Sequence, residues 1–194
     1  MKTLSALYDD YDDAQDAVGE LEASGVPSSD VSIVANDSRN RSRDDGPSEA
    51  AEDAGAGAGI GAVVGGAGGL LAGLGVMAIP GIGPVVAAGW LAATAAGAVA
   101  GAAVGGAAGG IIGALTDSGV PERDAHVYAE GIRRGGTLVT ARVSDELAPE
   151  AERILGQSTS VDLDRRRRDY EADGWTAFDP AAPAYAPEEA RRAP

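Results

Sequence analysis

Residues 57–84 read GAGIGAVVGGAGGLLAGLGVMAIPGIGP, and how this stretch is read decides the architecture. Glycine recurs at Gly57, Gly61, Gly65, Gly69 and Gly73, and a second series follows at Gly97, Gly101, Gly105, Gly109 and Gly113. Residues 54–116 contain no charged side chain and no serine. A flexible linker would be rich in both glycine and serine and would lack a pattern; here Ile, Val and Leu fill the gaps. A spacing of four puts each series near one face of an α-helix. Each helical glycine costs about 1 kcal/mol against alanine. Close approach of two backbones, with dispersion contacts along a small-xxx-small face, would offset that cost. Pro80, Gly81, Gly83 and Pro84 interrupt the pattern, because proline removes a donor and clashes inside a helix. The spacing therefore predicts a helical hairpin over 54–116, turning at 80–84, with the two glycine series as its packing faces.

At the rise of an α-helix, arms at 57–79 and 85–115 would be about 35 Å and about 46 Å long. Both exceed a hydrocarbon core of about 30 Å. Eight of the residues from 60 to 79 are Ile, Val or Leu, and Trp90 would suit an interface. Two crossings would return both termini to one side. Arg39, Arg41, Arg43, Arg123, Arg133 and Arg134 flank that side, which the positive-inside rule places in the cytoplasm. The expectation is a hairpin in the cytoplasmic membrane with both termini in the cytoplasm. The alternative is a cytoplasmic protein whose hairpins bury one another, since such an apolar surface does not stay bare in water.

Outward from the hairpin, the chain reads as a split α+β domain. Residues 3–8, TLSALY, suit a strand. Ala14, Ala17, Val18 and Leu21 then fall on one helix face, with Asp12 or Asp13 as cap and Gly25 as terminator. DVSIVAN at 30–36 is a second strand, so residues 1–36 form a βαβ half. Residues 37–53, polar with Gly and Pro, form an acidic connector. Beyond the hairpin, residues 117–164 form an αβαβ half. It holds a helix that begins near Pro121 and carries Ala125, Tyr128, Ala129 and Ile132. The strand TLVTARV at 137–143, a helix with Leu147, Ala151, Ile154 and Leu155, and a short strand at 160–164 complete it. Without the insert and the helix after it, the order is the ferredoxin-like βαββαβ, a four-stranded sheet with two helices on one face. Residues 165–194 are Arg-rich, then Pro- and Ala-rich, and read as a disordered tail. Tyr170, Trp175, Phe178 and Tyr185 make up half of the chain's eight aromatic residues. Such a cluster in a tail suggests a docking segment, on the chain's own sheet or on a partner.

Composition excludes more chemistry than it suggests. The 194 residues carry a formal net charge of −15, which repels nucleic acid. There is no cysteine, His126 is the one histidine and Lys2 the one lysine. A P-loop has no lysine to use, and a serine triad has no nucleophile elbow. GAGAGIG at 55–61 does not contain G-x-G-x-x-G and does not follow a strand. Asp9, Asp10, Asp12 and Asp13 lack the glycine of a calcium loop at its sixth position and suit a helix N-terminus instead. Arg165–Arg168 would either meet anionic lipid headgroups or be neutralised by Asp162, Asp164 and Asp169. No catalytic, cofactor or metal site is expected. The expected partners are further copies of the chain and membrane lipid, with no small-molecule ligand identified.

Several segments together resemble a known family: SALYDDYDDAQDAVGELEASGV and VSIVAND, then AIPGIGPVVAAG with its glycine-rich flanks, GVPERDAHVYAEGIRRGGTLVTARV, and DGWTAFDPAAPAY. The chain resembles the bacterial general stress proteins, the heat-induced and low-temperature-induced proteins of this architecture. The resemblance implies a stress-induced protein with a glycine-zipper insert; it implies no reaction and supplies no site residues. The reading is therefore a non-enzymatic stress-response protein that self-associates through its hairpin. A ligand- or metal-binding regulatory domain is the third option.

Overall fold

The computed structural model describes residues 1–36, 75–79, 81–94, 109–157 and 159–182. In chain order they form β1 (Lys2–Tyr8), α1 (Tyr11–Ala23), β2 (Val31–Asn36), β3 (Gly75–Ile79), β4 (Gly83–Gly89), α2 (Gly109–Asp117), α3 (Glu122–Arg133), β5 (Thr137–Val143), α4 (Ala148–Leu155) and α5 (Leu163–Ala172). The class is α+β. One sheet holds the strands in the order β1-β5-β2-β4-β3. Each neighbouring pair is antiparallel, so β5 lies between β1 and β2.

Strand alternation supplies two apolar faces at once. Ala6 and Tyr8, Ile33, Ala88, and Val139, Ala141 and Val143 face one side, under α1 and α4. Leu7, Val34, Val85 and Ala87, and Leu138 face the other, with α2 and α3. β2 is buried at every position, as a strand covered on both faces must be. Helices on one face alone would leave Leu7, Val34 and Leu138 in water, so the single-faced arrangement expected from the sequence is corrected. The helix beginning after Pro121 is part of the domain's second layer.

The larger correction concerns the hairpin. Residues 75–79 and 83–89 are strands, and a turn at 81–82 precedes β4 in a β-hairpin, with Ile82 N donating to Ile79 O at 3.0 Å. Val85, Val86, Ile79 and Ile82 are β-branched and fit a pleated, buried surface. Pro84 stands near the start of β4, where proline is tolerated. β4 pairs with β2 from Ser32↔Gly89 to Asn36↔Val85. The turn is therefore held against the sheet, and Ile82 is 1 % exposed. Among the described residues no helix is long and apolar enough to cross a membrane. Gly57, Gly61, Gly65, Gly69, Gly73, Gly97, Gly101 and Gly105, with Pro80, the 37–53 connector and Tyr185, lie outside the described residues. Gly109 opens α2 and Gly113 lies within it; a Cβ on Gly113 would meet nothing within 4 Å.

The remaining elements keep close to their sequence reading. In α1 the buried residues are Ala14, Ala17, Val18 and Leu21. Asp10, rather than Asp12 or Asp13, is its N-cap, accepting from Asp12 N at 2.9 Å. Asp12 and Asp13 fill the first turn, where negative charge favours the helix. The strand expected at 160–164 shrinks to a single bridge, Tyr8↔Ser160. Asp162 caps α5 instead, accepting from Arg165 N at 2.9 Å.

Candidate functional site

The densest polar chemistry lies where α5 and the segment after it cross α3. Glu122 and Asp124 sit in the first turn of α3 and Arg133 in its last, matching the helix dipole. One side of α3 is apolar and pressed on the sheet, and Tyr128 Oη donates to Ser5 O at 2.9 Å. Glu130 breaks that apolar side. It is 0 % exposed, and its carboxylate accepts from Arg134 Nε at 2.8 Å and from an Arg133 guanidinium nitrogen at 3.1 Å. A buried carboxylate needs such partners to remain charged. The Arg134 guanidinium then lies 4.1 Å from the centre of the Tyr170 ring, and it also meets Asp173 at 3.5 Å.

The arginine run of α5 divides by direction. Arg166 reaches Asp9 at 2.7 Å, and Arg167 reaches Asp124 at 2.7 Å and Asp164 at 3.1 Å. Arg165 and Arg168 are exposed. Burial acts to lower the pKa of Arg166, but hydrogen bonds and charge from Asp9 and Tyr170 together outweigh it and hold the guanidinium above its ordinary range. Tyr170 is completely buried, and burial raises its phenol despite the nearby guanidinium groups. Burial also pushes Tyr8 up to about 12 and raises Tyr128.

After α5 the chain turns at Gly174 and runs back over α3 as an arm described to residue 182. Trp175 packs edge-on to Tyr170, with ring centroids 5.7 Å apart. Phe178 is 6 % exposed and joins the second apolar layer with Ile82, Leu115 and Ile132. Its backbone N–H donates to His126 Nδ1 at 3.2 Å. Asp179 accepts from Ala181 N at 2.8 Å. A Cβ on Gly81 would lie 2.7 Å from Pro180 Cα, so the arm touches the β3–β4 turn. Residues 165–182 of the tail expected to lack a fold are ordered on the domain, and three of the four singled-out aromatics, Tyr170, Trp175 and Phe178, dock on the chain itself.

Two clefts flank this dock. One, of about 480 Å³, lies between Glu122, Arg123, His126, Arg167, Glu171 and Trp175. The other, of about 530 Å³, lies between Asp9, Ser160, Asp162, Arg165, Arg166 and Asp169. Each mixes acids with bases. Among the described residues no group of three or more His, Asp or Glu is gathered as for a metal ion. What the arrangement does chemically is to clamp α5 and the arm to α3. Sequence reasoning missed Arg134 and His126 as parts of this clamp, because Tyr170, Asp173 and Phe178 lie on other elements, and it missed Glu130 between its two arginines. The one local signal was Glu130 at spacings of three and four from Arg133 and Arg134.

The structure thus defines an α+β domain covered on both faces and closed by its own C-terminal arm. Residues 3–80 match the family model described as the heat induced stress protein YflT domain, a bacterial general stress protein family. The match takes in β1 through β3 and stops before β4, α3 and β5. No curated protein and no solved structure matches the chain.

Proposed function

We propose that this is a non-enzymatic general stress-response protein whose α+β domain carries glycine-rich segments for association with further copies. The sheet is read as a ferredoxin-like split βαβ, with β5 between β1 and β2, extended at the β2 edge by the β3–β4 hairpin. The family match supports the stress-response role. What carries the self-association reading is the position of the hairpin. Residues 75–79 and 83–89, between the two glycine series, are built into the sheet. The two glycine series therefore flank, in sequence, a hairpin that is built into the sheet. Two such series in one chain give it two contact elements, and multivalency favours association between copies. With the 80–84 turn packed at the sheet, an association among copies in water explains the glycine spacing better than a hairpin across a bilayer.

Ultracentrifugation of lysed cells, followed by sizing of the purified chain, tests this reading. The expected result is an oligomer in the high-speed supernatant that Gly65→Leu with Gly69→Leu, or Gly101→Leu with Gly105→Leu, converts to smaller species. A wild-type chain that stays monomeric at every concentration would contradict it. Recovery only in the membrane pellet, solubilised by detergent, would favour the lipid-associated reading instead.

A further inference from the structure

We propose that the C-terminal arm is a latch held by the unprotonated ring of His126 and released by mild acid. The observation is the Phe178 N–H donating to His126 Nδ1 at 3.2 Å. An imidazole nitrogen accepts only when it carries no proton; in the imidazolium both nitrogens are donors. Protonation would set two N–H groups against each other at the point where the arm delivers Phe178 to the apolar layer. Histidine is the side chain whose ordinary behaviour places this change between about pH 5 and about pH 8.

The arm's other ties are few. Trp175 rests edge-on against Tyr170, Phe178 fills its place beside Ile82 and Ile132, and Asp179 and Pro180 touch Gly81. The arm leaves α5 through Gly174, whose φ of 87° lies in the left-handed region that glycine adopts at little cost, which makes it a natural pivot. The charged groups facing His126 are Glu122 and Arg123 on its own helix and Arg167 and Glu171 on α5. The arm itself brings only Trp175, Thr176 and Ala177 to this cleft. Two acids and two bases leave the ring without a net countercharge. Arg167 is moreover held by Asp124 and Asp164, and so does not swing in to replace the lost contact. Because only the unprotonated ring accepts the Phe178 N–H, the latch is closed when His126 is neutral and opens when it is protonated. Release would uncover the place of Phe178 in the second layer while α5, anchored by Arg166 and Arg167, stays in position.

Hydrogen exchange of the Phe178 amide in the full chain, corrected for the intrinsic rate, tests the proposal. Protection of this amide should fall about tenfold between about pH 8 and about pH 5, the combined effect of a lost hydrogen bond and a new repulsion. Amides of β5 should keep their protection over the same range. In His126→Gln the Phe178 protection should change with pH by less than about twofold, because a neutral acceptor replaces a titrating one. Equal protection of Phe178 at both pH values in the wild type, or the same fall in His126→Gln, would overturn the proposal. As a check without substitution, the ring resonance of the single histidine and the Phe178 amide resonance should titrate with one midpoint. Separate midpoints would also overturn it.

Discussion

On one face of the sheet, Ala14, Ala17, Val18 and Leu21 of α1 and Ala151, Ile154 and Leu155 of α4 cover β1, β2 and β5. On the other, Leu115 of α2, Ala125, Ala129 and Ile132 of α3, Ile82 of the β-hairpin turn and Phe178 of the arm cover the same three strands. The first face is made of helices next in sequence to their strands. The second is assembled from segments that lie far apart in the chain. The strands serve both, with Val31 and Ile33 of β2 and Val139, Ala141 and Val143 of β5 turned to the first layer, and Val34 and Leu138 to the second. The comparison teaches that the glycine-rich region contributes to the core through its β-branched residues, and that the tail completes what the hairpin begins.

The strongest challenge to the second face is removal of Glu130 of α3, the one fully buried carboxylate among the described residues. Glu130→Ala leaves Arg133 and Arg134 without their shared partner and should cost about 3 kcal/mol or more in chemical denaturation. Next come matched truncations of the two faces. Leu21→Ala and Leu115→Ala each empty a fully buried site, and each should cost about 3 kcal/mol. Both should shift one and the same unfolding transition. If Leu115→Ala instead splits the transition into two, the faces are separate cooperative units and the comparison fails.

Glycines sharpen the contrast at smaller scale. Gly89 has a φ of 89°, and a Cβ there would lie 2.2 Å from Val31 O, where β4 meets β2. Gly89→Ala should destabilise by about 2 kcal/mol, a backbone-strain effect visible in the melting temperature. Gly113 faces open space, so Gly113→Ala should stabilise by about 0.5–1 kcal/mol, as alanine does in a helix. A close approach of helix to neighbour is seen at Gly131, where a Cβ would lie 2.5 Å from a Leu7 methyl.

Alkaline pH should act on both faces together. Tyr8 lies in the first layer, and its folded pKa is raised to about 12. Tyr128 lies in the second and is raised as well. A raised folded pKa means that the stabilisation is complete below the unfolded value, near 10. It is then lost as pH rises toward the folded value. Melting temperatures should therefore fall by roughly several degrees between about pH 9 and about pH 11, with less of a fall in Tyr128→Phe. The smallest effect should come from the exposed pair Glu150–Arg153: Arg153→Ala should leave the melting temperature within experimental scatter.

Much of the first face was legible from the sequence. The stripe of α1 appears at the predicted positions, and TLVTARV at 137–143 is β5. Both signals are local, a helical period and a run of β-formers bounded by Gly136. The second face was not legible, for two physical reasons. A four-residue glycine spacing looks the same wherever it occurs, and it masked the β-branched pairs around the 80–84 turn. Those pairs form strands because β2 needs a neighbour at its outer edge, which is a tertiary demand. The arginine run was legible only in part: Arg167 pairs with Asp164, as the neutralised reading expected, but the longer-range partners were not visible. Arg166 and Arg167 turn inward to Asp9 and Asp124, partners 157 and 43 residues away. No local pattern distinguishes them from the outward-facing Arg165 and Arg168.

The central claim is that the segment around the 80–84 turn is part of the sheet. Nuclear Overhauser contacts in the full chain test it most directly. Backbone contacts between β2 and β4 in the register Val34↔Ala87 and Ala35↔Val86 are predicted, with slow amide exchange along β4. Sequential helical contacts from Val85 to Ala88, without any contact to β2, would contradict it.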